Sequence, residues 1–261
     1  MSESFPTIVE SFAFSPIASA LWHPRAGLQC RELGLTRATS GVMAAYQYRA
    51  DGEVTKTSGL GADGAPFLFV IVLSGEVELV EDGTSSVLRP LDSWARFGGG
   101  DPVEWTFSHT AEVLVLEGDE AAAGSYGSPA RRGSTITRES EDSYVTGDGP
   151  RVFFGYRDLG TAGLTDRRVH IHLVRAAQMM EGGTGWHQHS MGQIFYILRG
   201  WGKLLVEDAA AVQMGAGDAM CIAPGMRHNV PGFSKDYLLL EMCVPADYDT
   251  VDASPPAWVG R

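Results

Sequence analysis

The sequence predicts an all-β protein built from two copies of one unit, and three observations carry that expectation. Short runs of Val, Ile, Leu, Phe and Tyr recur along the chain, punctuated by Gly, Pro and Asp, as in antiparallel β-structure. No stretch of useful length shows helical periodicity. A set of segments also returns after about 126 residues, and a long period seen twice indicates a duplicated domain and not a solenoid. Many short strands with turn signals suggest a sandwich or barrel, of which a jelly roll is one form.

The repeat is collinear. Arg31-Glu32-Leu33-Gly34, leading to Arg49-Ala50, matches Arg157-Asp158-Leu159-Gly160, leading to Arg175-Ala176. FLFVIVLSG at 67–75 parallels GQIFYILRG at 192–200, and Leu79-Val80-Glu81-Asp82 parallels Leu205-Val206-Glu207-Asp208. Leu91-Asp92 parallels Gly217-Asp218, and LVLE at 114–117 parallels LLLE at 238–241. Four segments are expected: an arm (1–28) packed on the body, a first copy (29–120), a linker (121–149) rich in Gly, Ser, Ala and charge with one strand in it, and a second copy (150–261). The apolar runs lack clean polar alternation, as expected when both faces of a sheet are buried, so the copies are expected to pack together as a pseudo-dimer.

Length and composition bound the function. At 261 residues, 44% hydrophobic and 20% charged, the chain can bury one large core or two small ones. The net charge of -12, with three Lys beside seventeen Arg and no basic cluster, argues against nucleic acid or an anionic membrane as partner. No apolar run is long enough to span a bilayer, and MSESFPTIVE lacks the basic and apolar regions of a signal peptide. Cys30, Cys221 and Cys243 are odd in number and form no CxxC, which suits reduced thiols and a cytoplasmic location.

The chemistry gathers in EGGTGWHQHSMGQIFYILRGWG, residues 181–202. Residues two apart on a strand point the same way, so His187 and His189 can converge on one point. Gln193 can join them if the chain turns at Ser190-Met191-Gly192, and His228 can be folded back by the Pro224-Gly225 turn. Three imidazoles and an amide oxygen make a plausible ligand set for a divalent first-row metal. At offsets of 125 to 126, His187, His189 and Gln193 map onto Ala62, Gly64 and Leu68, and His228 maps near Pro102. None of these binds a metal through its side chain, so one ion per chain is expected, in the second copy.

These residues resemble the double signature of the cupin superfamily, G-x5-H-x-H-x3-E-x6-G followed by G-x5-P-x-G-x2-H-x3-N. His187, His189, Gln193 and Gly200 fall in register with the first part, and Gly217, Gly225 and His228 with the second. The chain departs from the pattern at Glu181, Ala223 and Gly232, and chemically at Gln193, which stands where a glutamate ligand is usual. The resemblance implies a duplicated cupin jelly-roll β-barrel, a bicupin with one metal-binding copy. It also implies a metal-dependent enzyme, foremost a dioxygenase using Fe(II) on a small anionic, oxygen-chelating substrate such as an enolate or catechol. Mn, Zn or Ni acting as Lewis acid in a lyase, isomerase or hydrolase is the alternative, and a non-enzymatic small-molecule-binding bicupin is a third. The chain itself is expected as a monomeric pseudo-dimer or a homodimer.

Other side chains weigh against blander readings. His170 and His172 alternate along RVHIH, and their sister positions are Ala44 and Tyr46, so the scaffold does not demand them. His172 is the candidate acid or base; outward-facing or interface histidines are the competing reading. Trp186 and Phe195 are candidate pocket walls, though most strand aromatics are core. Arg199 and Arg227 are candidate anion holders, though either alone reads as a solvated surface residue. Glu241 is aligned with Glu117 of the first copy, which favours a structural role.

Overall fold

The computed structural model describes residues 8–61, 64–119, 133–147, 152–178, 183–209 and 211–259. The start of the histidine motif at Glu181 and Gly182, the sister position Ala62, and residues 121–132 and 148–149 of the expected linker lie outside the described residues. Four antiparallel sheets account for the fold. In the first half, a seven-stranded sheet runs in spatial order Gly133–Thr137, Ser93–Phe97, Phe67–Ser74, Glu112–Gly118, Met43–Arg49, Leu28–Glu32 and His23–Arg25. A four-stranded sheet of Thr55–Thr57, Glu104–Phe107, Val77–Glu81 and Thr84–Leu88 faces it. The second half repeats this with Ala13–Ser15, Ala219–Ile222, Gly192–Arg199, Leu238–Val244, His170–Ala176, Phe154–Asp158 and Val145–Thr146. Its facing sheet is Val212–Gly215, Trp201–Val206, His228–Phe233, His187–His189 and Thr250–Asp252. The predicted all-β, duplicated jelly-roll fold is what the chain adopts. No helix among the described residues is long and apolar enough to cross a membrane.

Strand alternation explains why the apolar runs carry few polar breaks. Along Phe67–Ser74, Leu68, Val70 and Val72 point into the first barrel with Trp94, Trp105 and Phe107. Their neighbours Phe67, Phe69 and Ile71 point the other way, into a core shared with Ile171, Leu173, Ile194, Leu240 and Met242 of the second half. The second barrel encloses Phe154, Phe195, Ile197, Leu204, Phe233 and Leu239. The central strands of each seven-stranded sheet are thus buried on both faces, and the two halves pack back to back. At roughly 1.5–3 kcal/mol per fully buried large apolar side chain, this shared layer is a major source of stability.

The halves also exchange edge strands. Ala13–Ser15 of the arm pairs with Ala219–Cys221 of the second half, and Gly133–Thr137, inside the expected linker, pairs with Ser93–Phe97 of the first. The matched RELG and RDLG segments lie at this junction. Buried Arg31 donates from Nη2 to the carbonyl of Gly217, and buried Arg157 donates from Nη1 to the carbonyl of Leu91 at 3.0 Å. The adjoining Asp218 and Asp92 are equally matched. Asp218 accepts from the Ile17 amide at 2.8 Å, and Asp92 from the Glu139 amide at 2.7 Å. The strongest sequence matches of the repeat therefore form a latch used twice, once in each direction.

Candidate metal centre

The second barrel closes around four of the residues singled out by spacing. His187–His189 is a three-residue strand hydrogen-bonded between two others, with His187 opposite His228 and His189 opposite Thr250. Alternation turns both histidines inward, and each is buried. The turn before His228 is tied to the same strand, because the Gly225 amide donates to the His189 carbonyl at 2.8 Å. Gly225 takes φ +77°, a conformation that suits glycine. The three rings meet with centroids 4.4 to 5.1 Å apart, and one ligand atom from each lies within 4.8 Å of the others.

Hydrogen bonding sets how the imidazoles are presented. His187 Nδ1–H donates to the Gly185 carbonyl at 2.9 Å, and His228 Nδ1–H donates to the Met226 carbonyl at 3.0 Å. A carbonyl oxygen only accepts, so Nδ1 carries the proton and the neutral ring has its lone pair on Nε2. His189 Nδ1 shares a hydrogen bond of 2.8 Å with Thr250 Oγ1. Metal-binding histidines are held in this manner, with one ring nitrogen fixed by a neighbour and the other offered to the ion. Thr250 carried no signal in the sequence, because its role depends on a strand pairing about sixty residues away.

Gln193 is buried beside the cluster and donates from Nε2 to Glu241 Oε1 at 2.6 Å. Its carbonyl oxygen is buried with no hydrogen-bond partner, as expected of an atom meant for a cation. The donor set of three imidazoles and one amide oxygen fits a divalent first-row ion. Glu241 also accepts from His172 Nε2 at 2.8 Å. Burial would raise the Glu241 carboxyl, but the hydrogen bond and charge of His172, with smaller contributions from His189 and Gln193, outweigh it and bring it down to about 2. Glu241 is therefore an ionised carboxylate inside the barrel.

The register corrects the alignment of Glu241 with Glu117. In the second half Glu241 lies opposite His172; in the first half the sister of His172, Tyr46, lies opposite Val115. Gln193 lies opposite Cys243, and its sister Leu68 lies opposite Glu117. Glu241 thus corresponds to Val115, and Glu117 to Cys243. The LVLE and LLLE segments look alike two residues out of register, which concealed that this carboxylate is peculiar to the second copy. The offset of 126 at Arg49 and Arg175, on the neighbouring strand, was the signal that places it.

A cavity of about 80 Å³ opens over the cluster. Its wall is mainly apolar, with Phe154, Val174, Phe195, Ile197, Leu204 and Leu239, and it includes His187, His189, Gln193, His228, Glu241 and Tyr248. Phe195 takes the expected place in the wall. Trp186 does not line the cavity and packs edge-on against Trp258 at 5.9 Å. Arg199 and Arg227 do not line it either. Arg199 is exposed at a strand end and donates to the Asp236 carbonyl, while Arg227, on the opposite face from His228, is ion-paired with Glu207 at 2.6 Å. His172 stands behind the wall, bonded to Glu241, and His170 faces Asp158 at 3.5 Å. Among the described residues, both groups with metal-ligand geometry lie in the second half: the three histidines, and His172 with Glu241 and Cys243.

Comparison with known proteins places this geometry. Residues 177–236, which include all four candidate ligands, match the cupin domain family model. No curated protein matches the sequence. Protein Ylba of E. coli is similar in structure over 94% of this chain and 96% of its own, with a TM-score of 0.68 at 12% identity. The putative glyoxylate-induced protein of Pseudomonas aeruginosa is similar over 100% and 96%, with a TM-score of 0.67 at 14% identity. Oxalate decarboxylase of Bacillus subtilis, a protein with Mn(II) centres, is similar over 97% and 80%, with a TM-score of 0.57 at 15% identity. Residues 177–236 are thus similar to the cupin domain family, and the fold along nearly the whole length of the chain is shared with these solved structures.

Proposed function

We propose that this chain is a divalent-metal-dependent enzyme acting on a small anionic substrate that chelates through oxygen. His187, His189, His228 and Gln193 hold the ion in the second copy (150–261), and the first copy (29–120) serves as scaffold. The observation that carries this reading is the convergence of three imidazoles, two held by Nδ1–H bonds to backbone carbonyls and the third by Thr250, beside a buried amide oxygen with no hydrogen-bond partner. A bound metal supplies Lewis acidity and open coordination positions for substrate oxygens. The chain's own residues orient those ligands and surround them with an apolar wall that keeps out bulk water. Neutral ligands leave the ion its full charge, which exceeds the single negative charge of Glu241 behind Gln193, and this favours an anionic substrate.

Both the dioxygenase reaction with Fe(II) and non-redox chemistry with Mn, Zn or Ni use such a centre. A cavity of about 80 Å³ suits a small substrate, an acyclic acid or a single catechol ring alike. Oxalate decarboxylase, similar in fold, acts by name on a small dicarboxylate and has Mn(II). Non-redox chemistry on a small carboxylate is therefore the form we favour, with a cytoplasmic setting.

Elemental analysis of protein purified without added metal is expected to find one ion per chain, and His189→Ala is expected to lose most of it while remaining folded. Two ions per chain at full occupancy, or metal retained by His189→Ala, defeats this assignment. An oxygen electrode with small 2-oxo and 2-hydroxy acids then separates the reactions. Substrate turnover without oxygen uptake is expected, and stoichiometric oxygen consumption would restore the dioxygenase.

A further inference from the structure

Behind the proposed ligands lies a chain of side chains that the first copy lacks. Glu241 is held between two donors, Gln193 Nε2 at 2.6 Å on one oxygen and His172 Nε2 at 2.8 Å on the other. Because this carboxylate accepts, the amide nitrogen of Gln193 must be the atom turned toward it, and the amide oxygen must be turned away. That oxygen is buried and has no hydrogen-bond partner, a costly arrangement unless a cation completes it. The sister positions of Gln193, Glu241 and His172 are Leu68, Val115 and Tyr46, so the scaffold folds without the set.

Resting on the metal-centre reading above, we propose that Glu241 and His172 are positioning residues for that centre. Glu241 locks the Gln193 amide so that oxygen and not nitrogen faces the His187–His189–His228 cluster, and His172 locks Glu241. A donor hydrogen-bonded to a carboxylate also pushes electron density onto the amide oxygen. Gln193 and Glu241 together then stand in for the glutamate ligand of the motif, with its negative charge moved one side chain back from the ion.

The test is Mn²⁺ and Zn²⁺ affinity by isothermal titration calorimetry on the full chain, with thermal unfolding in EDTA as the check of folding. Glu241→Gln is expected to weaken binding by about 10–100-fold, the usual effect of losing a residue that supports a ligand, and His172→Leu by about tenfold. The exchange Gln193→Glu with Glu241→Gln rebuilds the same hydrogen bond with the carboxylate as ligand, and it is expected to recover at least the parental affinity. Gln193→Glu alone, which sets two carboxylates against each other, controls for the added ligand charge and is expected to bind more weakly than the exchange variant. Glu241→Gln within twofold of the parent, or an exchange variant no better than Glu241→Gln alone, overturns the proposal. If Glu241→Gln does not fold, the exchange variant and His172→Leu decide by the same limits. If the parent binds neither ion, the metal-centre reading fails and this proposal with it. If the parent binds and His189→Ala does not, while Glu241→Gln binds normally, only the positioning role is lost.

Discussion

At the scale of single residues, backbone conformation and burial account for several positions that the motif alone leaves unexplained. Gly200, the glycine that ends the first part of the signature, has φ +70°, and a Cβ there would lie 2.2 Å from Ser234 Oγ and 3.0 Å from the Tyr237 amide. Gly83 has a similar φ of +74° with open space around it. Gly200→Ala is expected to combine backbone strain of about 1–3 kcal/mol with a steric clash, and Gly83→Ala to suffer the strain alone. Calorimetry should therefore show a larger fall in Tm for Gly200→Ala; equal falls would remove the packing argument. Burial likewise pushes the Cys221 thiol up to about 12 and raises that of Cys30. A protonated, enclosed thiol is a poor nucleophile. Neither cysteine is expected to react with iodoacetamide at pH 8 in the native protein, and both should react in denaturant. Peptide mapping by mass spectrometry reads the outcome.

At the scale of elements, the repeat is legible in the sequence because its matched residues do the same structural work twice. Arg157 is almost fully buried, donates to Leu91 of the other half and pairs with Glu139 at 2.6 Å. Arg157→Ala leaves that carboxylate without its cation and removes a cross-junction hydrogen bond. A loss of about 1.5–3 kcal/mol is expected, the usual worth of a hydrogen bond to a charged group, since the Glu139 carboxylate is partly exposed and keeps solvent contact. Urea unfolding measures it, and a change under 1 kcal/mol would show that the latch is incidental. Other parts of the repeat misled for the same local reason. LVLE and LLLE resemble each other because both are apolar strands ending in Glu, yet their pairings differ by two residues. An even shift keeps every side chain on the same face, so hydrophobic patterning cannot detect it.

At the scale of the whole molecule, the two halves are joined by a shared apolar layer and by exchanged edge strands. Ala13–Ser15 covers the edge of Ala219–Ile222, whose other side pairs with the strand carrying Gln193. Removing residues 1–22 would expose that edge and the apolar layer beneath Val9 and Ala13. An uncovered edge strand is a template for association. The shortened protein is expected to form higher oligomers, as read by light scattering after size exclusion, and a monodisperse product of unchanged size would contradict this role for the arm.

The sequence by itself determined the β class, the duplication and the convergence of His187, His189 and His228. These follow from local rules: a period of two along a strand, a turn at Pro224-Gly225 and a repeated order of segments. Tertiary structure decided which candidates share a cavity. Phe195 remained in its wall, whereas Trp186, Arg199 and Arg227 fell outside it. It also decided that Thr250 holds His189, and that Glu241 stands behind Gln193. Those relations depend on strand register and on contacts between segments tens of residues apart. Register is set by the packing of the sheet as a whole, so no short window of sequence contains it.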